Sequence, residues 1–228
     1  MSIAGVRCVV FDLDDTLFLE RDYVRSGFLA VGHWMSETRG VEDFGERCWT
    51  EFEHGIRGDV FDRVLDQLGV GAEPGLVPRL VDVYRSHEPT LCMLPDAAAA
   101  LSDLEGRVSL AAVTDGPLAS QRAKAWAVGA VGRLDPIVYT AELDVTKPDP
   151  GAFTPVEAAC GVQGAECVYV ADNPHKDFLG PRRLGWGTVR VRRHESLHAA
   201  VDSSDAVDVE VEDLATLAGA LATRRLAP

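Results

Sequence analysis

The chain is 228 residues long, with 46% hydrophobic and 25% charged residues and 22 basic against 36 acidic side chains, a net charge of −14. That length suits one large domain or a domain with a sizeable insertion, and the composition is that of an ordinary globular protein rather than a disordered or membrane one. The acidic balance repels nucleic-acid backbones and anionic lipid, so neither is expected as a partner.

Five cysteines, Cys8, Cys48, Cys92, Cys160 and Cys167, number oddly and form no C-x-x-C pair, which reads as buried thiols of a reducing compartment. No basic segment followed by an apolar one opens the sequence, and no run of about 18 apolar residues occurs. A cytoplasmic protein without membrane spans is therefore expected.

Arg7 to Phe11 is β-branched and aromatic, too short for a helix, and uninterrupted by polar residues, as in a parallel strand buried on both faces. Similar runs recur at Val108 to Val113, Ile137 to Thr140, Cys167 to Ala171 and Thr188 to Val191, with helical patterns between most of them. This alternation predicts an α/β fold with a doubly wound parallel sheet.

One interval breaks the rhythm. About 90 residues separate Thr16 from Val108, whereas a single strand-helix-strand crossover takes roughly 30. The excess carries helical spacing only: Val24, Phe28, Val31 and Met35; Val41, Phe44, Cys48 and Phe52; Val60, Phe61, Val64, Leu65 and Leu68; Leu76, Val77, Leu80, Val81 and Tyr84. Four amphipathic helices are expected inside one loop of the sheet, giving an α/β core of residues 1–18 and 91–228 and a helical insert of residues 19–90. Pro95-Asp96 then reads as a helix start capped by the Asp, running to Gly106. Ser203-Ser204-Asp205 marks a turn before a short final strand and helix.

Polar groups follow four strand ends, where reactive groups of open α/β sheets collect. They are Asp12-Leu13-Asp14-Asp15-Thr16, Thr114-Asp115-Gly116, Lys147 within DVTKPDP, and Asp172 to Asp177. Crowded carboxylates repel one another unless a cation sits among them, and Mg²⁺ is a hard cation that takes oxygen ligands. Asp12 and Asp172 are thus candidate ligands for Mg²⁺ facing a substrate phosphate. Alternation along the strand end sends Asp12 and Asp14 to one side, so one can attack phosphorus while the other carries a proton. Thr114, Asp115, Gly116 and Lys147 form the expected phosphate-binding set, and Pro117 suits the first position of a helix whose N-terminus favours an anion.

These residues resemble the haloacid dehalogenase superfamily. Its D-x-D-x-T motif matches Asp12, Asp14 and Thr16, its second-motif Thr matches Thr114, its Lys matches Lys147, and its D-x-x-x-x-D motif matches Asp172 and Asp177, in the family's order. The resemblance implies a Rossmann-like core, Asp12 as nucleophile forming an aspartyl-phosphate, and Asp14 as general acid then base. It also implies Mg²⁺ held by Asp12, the Asp14 backbone carbonyl and Asp172, with Asp177 in the same metal set, and it classes the helical insert as a cap of the C1 type. Asp14 is the position that dehalogenating members lack, which points to phosphate transfer.

Other residues carry plainer readings. Asp15 reads as a loop carboxylate bound to turn amides, and Asp177 as either a partner of the metal water or Lys147, or a helix cap. Arg57 in the glycine-flanked turn, with His54 and Tyr23, is the candidate substrate contact in the insert. Trp34 and Trp49 read as core residues, and Arg190, Arg192, Arg193 and His194 as a solvated sheet edge. The expected function is a Mg²⁺-dependent phosphatase of a small phosphorylated metabolite; a phosphomutase of the same superfamily and a phosphorylatable receiver domain are the alternatives.

Overall fold

A computed structural model of the chain describes residues 5–70 and 73–223. Six strands form one parallel sheet in the order β3-β2-β1-β4-β5-β6: β1 Cys8–Phe11, β2 Ser109–Thr114, β3 Ile137–Tyr139, β4 Cys167–Ala171, β5 Gly187–Val191 and β6 Val209–Val211. Every residue of β1, β4 and β5 is buried, the burial on both faces that an uninterrupted apolar run implies. Cys8 pairs with both Ser109 and Cys167, and Phe11 with Ala112 and Val170, so β1 lies in the middle of the sheet with matched registers on both sides. This is the doubly wound, Rossmann-like α/β order. It differs from the 2-1-3-4-5 order of flavodoxin-like switches, which removes the receiver-domain alternative.

The chain divides into two compact units, one of Met1–Glu20 with Cys92–Pro228 and the other of Arg21–Leu91. The second unit is helical: α1 Glu20–Arg39, whose first residue belongs to the first unit, α2 Phe44–Glu53, α3 Val60–Leu68 and α4 Leu76–Ser86. Its core is the set of apolar positions spaced by three and four, Phe28, Val31, Met35, Phe44, Cys48, Phe52, Val64 and Leu80 among them. The Phe28 ring packs against Phe52, Phe61 and Tyr84 at centroid distances of 5.6–6.3 Å. Helices α1 and α2 approach closely at Gly32 and Gly45, where a Cβ on Gly32 would stand 2.8 Å from Gly45 N. Val41 falls outside the helix its spacing suggested, half-buried in the turn before α2.

In the first unit, α5 (Pro95–Leu104), α6 (Leu118–Ala127), α7 (Thr154–Cys160), α8 (Leu179–Arg183) and α9 (Leu217–Thr223) accompany the sheet. Below the sheet's reactive end, Cys8, Val10, Tyr169, Phe153 and Trp186 form part of one buried cluster. Four expectations change here. Asp96 does not cap its own helix, whose N-cap is Leu94; its Oδ2 takes the Leu214 N–H at 2.8 Å and Arg193 at 2.7 Å. Pro117 lies one position earlier than expected, at the N-cap of α6. Cys92 is exposed and Cys160 half-buried, so not every thiol is a core residue. Arg190 and Arg193 are buried: β6 pairs along the side of β5 that looked like an edge, and Arg193, beyond the strand, is held by Asp96 and the Thr16 carbonyl. Among the described residues, no helix is long and apolar enough to cross a membrane.

Candidate active site

The strand order reverses between β1 and β4, and ligands of open α/β sheets bind outside the carboxyl ends at that switch point. Asp12 and Asp172 are the first residues after those two strands. The Asp12 N–H donates to Val170 O at 2.9 Å, which carries the sheet ladder one residue further and fixes where the carboxylate leaves it.

One oxygen from each of Asp12, Asp172 and Asp177 lies within 4.8 Å of the others, and all three residues are buried. Lys147 enters the same cluster, with Nζ 2.9 Å from Asp12 Oδ1 and 2.7 Å from Asp177 Oδ1. Both contacts are ion pairs between fully buried side chains or nearly so. Lys147 Nζ also donates to Tyr169 Oη at 3.1 Å, whose hydroxyl donates to Val113 O at 3.3 Å. Burial pushes the Asp12 carboxyl up to about 6 against the pull of Lys147. Burial, reinforced by Asp177, Asp15 and Asp12, pushes Asp172 up to about 9. Burial also opposes the charge on Lys147, but Asp12 and Asp177 outweigh it and hold the ammonium well above the usual lysine range.

Three buried carboxylates against one ammonium leave excess negative charge, and Asp172 Oδ2 has no hydrogen-bond partner among the described residues. A small divalent cation with oxygen ligands would relieve both, and this donor set fits Mg²⁺. Asp14, expected to reach the ion through its backbone carbonyl, turns its carboxylate away from the cluster. Its Oδ1 lies 2.6 Å from Lys124 Nζ and its Oδ2 accepts from Gln121 Nε2 at 2.9 Å. Thr114 ends β2 with a buried hydroxyl that also has no partner among the described residues. Asp115 does not turn its carboxylate to the cluster: its Oδ1 accepts from Thr140 Oγ1 at 2.6 Å and from Lys147 N at 3.3 Å, tying the second strand end to the lysine loop. Gly116 has φ 135°, and a Cβ there would meet Gln121 Nε2 at 2.9 Å.

Asp15 sits in the left-handed region at φ 53°. Its two oxygens accept from Glu20 N and Leu197 N, both at 2.8 Å, so it binds loop amides and joins the loop after β1 to the segment after β5. From the same segment Arg193 donates to Thr16 O at 3.0 Å. Glu20 faces Asp14 across this loop; burial, then the charges of Asp14 and Asp15, push its carboxyl up to about 7. Asn173 Nδ2 and His198 Nε2 are 2.9 Å apart, while His175 is exposed.

Within the helical unit, Tyr23 is buried in an aromatic contact with Tyr84 and His87, a core position rather than an open one. His54 is the exposed C-cap of α2. Arg57 folds back, donating to Phe52 O at 2.6 Å and Ile56 O at 2.8 Å with its guanidinium 3.7 Å from the Phe52 ring centre. Trp49 is half-buried, not core, with the guanidinium groups of Arg21 and Arg25 over its ring at 5.5 and 5.4 Å.

Gln121, Lys124 and Tyr169 are the residues beside the candidate site that motif reading missed. Tyr169 alone left a trace, a hydroxyl in the otherwise apolar run CVYVA.

A sequence model of haloacid dehalogenase-like hydrolases matches residues 6–185. The chain belongs to the haloacid dehalogenase-like hydrolase family. It is 30% identical over 223 residues to a glyceraldehyde 3-phosphate phosphatase of Methanopyrus kandleri, covering 91% of this chain and 93% of that protein. It is 26% identical over 202 residues to the N-acylneuraminate-9-phosphatase of Mus musculus, covering 81% and 82%. The L-2-haloacid dehalogenase of Xanthobacter autotrophicus superposes with a TM-score of 0.63 at 20% identity, over 96% of this chain and 99% of that one. Dehalogenases and phosphatases of this family thus share the fold, and the reaction has to be argued from the site.

Proposed function

We propose that the protein is a Mg²⁺-dependent phosphatase that hydrolyses a small phosphomonoester, a sugar phosphate or related metabolite, through an aspartyl-phosphate on Asp12. The observation that carries this reading is the division of labour on one strand end. Asp12 sits in the acidic cluster with Lys147, and Asp14, two residues on, stands outside that cluster on its own donors. A dehalogenating site has no use for a second carboxyl here, whereas phosphate transfer needs a proton carrier for the leaving oxygen.

Asp12, Asp172 and Asp177 would hold the ion, and bound Mg²⁺ would supply positive charge to the phosphate oxygens. In the first step a bond forms between an Asp12 oxygen and phosphorus, the bond to the leaving oxygen breaks, and Asp14 gives that oxygen its proton. In the second, Asp14 takes a proton from water as the water oxygen attacks phosphorus, releasing phosphate and restoring Asp12. The Thr114 hydroxyl and the Lys147 ammonium neutralise charge on the equatorial oxygens.

The relatives named for glyceraldehyde 3-phosphate and N-acylneuraminate 9-phosphate support a small metabolite as substrate. Arg57 and His54 of the helical insert are the candidates in this reading for selecting the substrate. A panel of phosphorylated metabolites tests the reading: phosphate release from at least one small monoester, abolished by a chelator and restored by Mg²⁺, is expected. Release from none of them, or release indifferent to the chelator, contradicts it.

A further inference from the structure

Helix α6 turns its polar side inward. Trp126 is 75% exposed, whereas Gln121 and Lys124, three residues apart and so on one face of the helix, are 3% and 6% exposed. Withdrawing an ammonium group from water costs on the order of several kcal/mol after the protein relaxes, and such groups persist where a counter-charge meets them. Here that counter-charge is Asp14. Lys124 Nζ lies 2.6 Å from Asp14 Oδ1, and Gln121 Nε2 donates to Asp14 Oδ2 at 2.9 Å while also donating to the Asp115 carbonyl. Each oxygen of the carboxylate therefore has its own donor, and both donors come from one helix anchored on the sheet.

Neither donor exhausts the carboxyl group. A carboxylate offers about four lone-pair positions, so Asp14 can still carry a proton or meet a leaving oxygen while both contacts stand. What the pair removes is rotation. A proton carrier works only within hydrogen-bond reach of its target, about 2.6–3.2 Å, and an exposed aspartate visits several rotamers.

We propose that Lys124 and Gln121 are positioning residues that hold the Asp14 carboxyl at the leaving oxygen, and that they thereby set the rate on esters with poor leaving groups. The inference rests on the phosphomonoesterase reading above. As the bond from Asp12 to phosphorus forms and the bond to the leaving oxygen breaks, an alkoxide must take the Asp14 proton, whereas a nitrophenolate is stable enough to depart almost without it. A misplaced Asp14 therefore penalises alkyl esters selectively. A purely structural defect slows both classes alike.

The experiment compares kcat/KM for glycerol phosphate and for p-nitrophenyl phosphate in wild type, Lys124→Met, Gln121→Leu and Lys124→Arg. This parameter reports only the steps up to departure of the leaving group, so the shared hydrolysis of the phosphoenzyme drops out. Lys124→Met and Gln121→Leu are expected to lose about 10²-fold on the alkyl ester and less than a tenth of that factor on the aryl ester. Lys124→Arg should restore most of the loss. If Lys124→Met does not fold, Gln121→Leu, which leaves the ion pair in place, carries the same comparison. Equal losses on both esters, or no loss on either, overturn the inference while the wild-type activity upholds the phosphomonoesterase reading. Where the metabolite panel gives a better alkyl ester, it takes the place of glycerol phosphate; a wild type inactive on p-nitrophenyl phosphate and on every alkyl ester of that panel overturns that reading, and this inference with it.

Discussion

Arg190 Nε donates to the backbone carbonyl of Asp172 at 3.0 Å, from a side chain that is 1% exposed. Its other nitrogens reach His198 O and Ser203 Oγ, each at 2.9 Å, so one guanidinium ties the acidic loop after β4 to the segment after β5. A planar fork can serve three acceptors at once, which a lysine ammonium on a single stem cannot. Arg190→Met is expected to destabilise the protein by about 2–4 kcal/mol, since it leaves buried acceptors without donors. Arg190→Lys should recover only part of this. Denaturant midpoints of the three proteins provide the check, and unchanged midpoints would sink the role.

Removing the proposed nucleophile, Asp12, while keeping its shape should stop turnover without unfolding the chain. Asp12→Asn is expected to lower kcat by about 10⁴-fold or more, with the circular dichroism spectrum retained. Full activity in this variant contradicts the assignment.

Mg²⁺ should stabilise the folded state by linkage, by about 2.7 kcal/mol at a hundredfold excess over its Kd. Asp172→Asn should abolish this increment and yet fold, because the amide is a neutral isostere of a carboxyl that burial already pushes up to about 9. Thermal midpoints with chelator and with Mg²⁺ measure the effect. An Asp172→Asn protein still stabilised by Mg²⁺ to the wild-type extent would show that the ion binds elsewhere.

The acid limb of stability should carry the mark of Asp96. Burial tends to raise its carboxyl, but hydrogen bonds from Arg193 and from the Leu214 N–H outweigh this and hold it below the usual carboxylate range. A lowered folded-state value means that the unfolded chain binds more protons near pH ~4, so the stabilisation is full above the unfolded value and lost as pH falls through the folded one. The difference in unfolding free energy between wild type and Asp96→Asn should therefore be constant near neutrality and shrink below about pH 4. A difference that stays constant into the acid range would show that Asp96 contributes through shape and not through charge.

Much of the fold was legible because parallel strands buried on both faces must be apolar throughout, as CVVF and CVYVA are. The insert was legible because its helices each bury one stripe. What stayed hidden depends on partners far away in the chain. Lys124 and Gln121 meet Asp14 across 110 and 107 residues, and Asp96 meets Leu214 across 118, so no local pattern announces them. Arg190 looked like a residue of a solvated edge because nothing local says that the short final strand, β6, pairs beside β5. Asp12, Thr114 and Asp172 were legible for the opposite reason: each ends or directly follows a strand, and the strand brings it to the carboxyl end of the sheet whatever the loops do, whereas Lys147, on the loop after β3, was legible only from its place in the order of motifs.

Acid-quenching the enzyme during turnover of a phosphomonoester and mapping the modified peptide by mass spectrometry tests the central claim most directly. The account predicts one phosphoryl group, carried by Asp12 and absent from Asp12→Asn. A phosphoryl group on any other residue, or turnover that persists in Asp12→Asn, would contradict it.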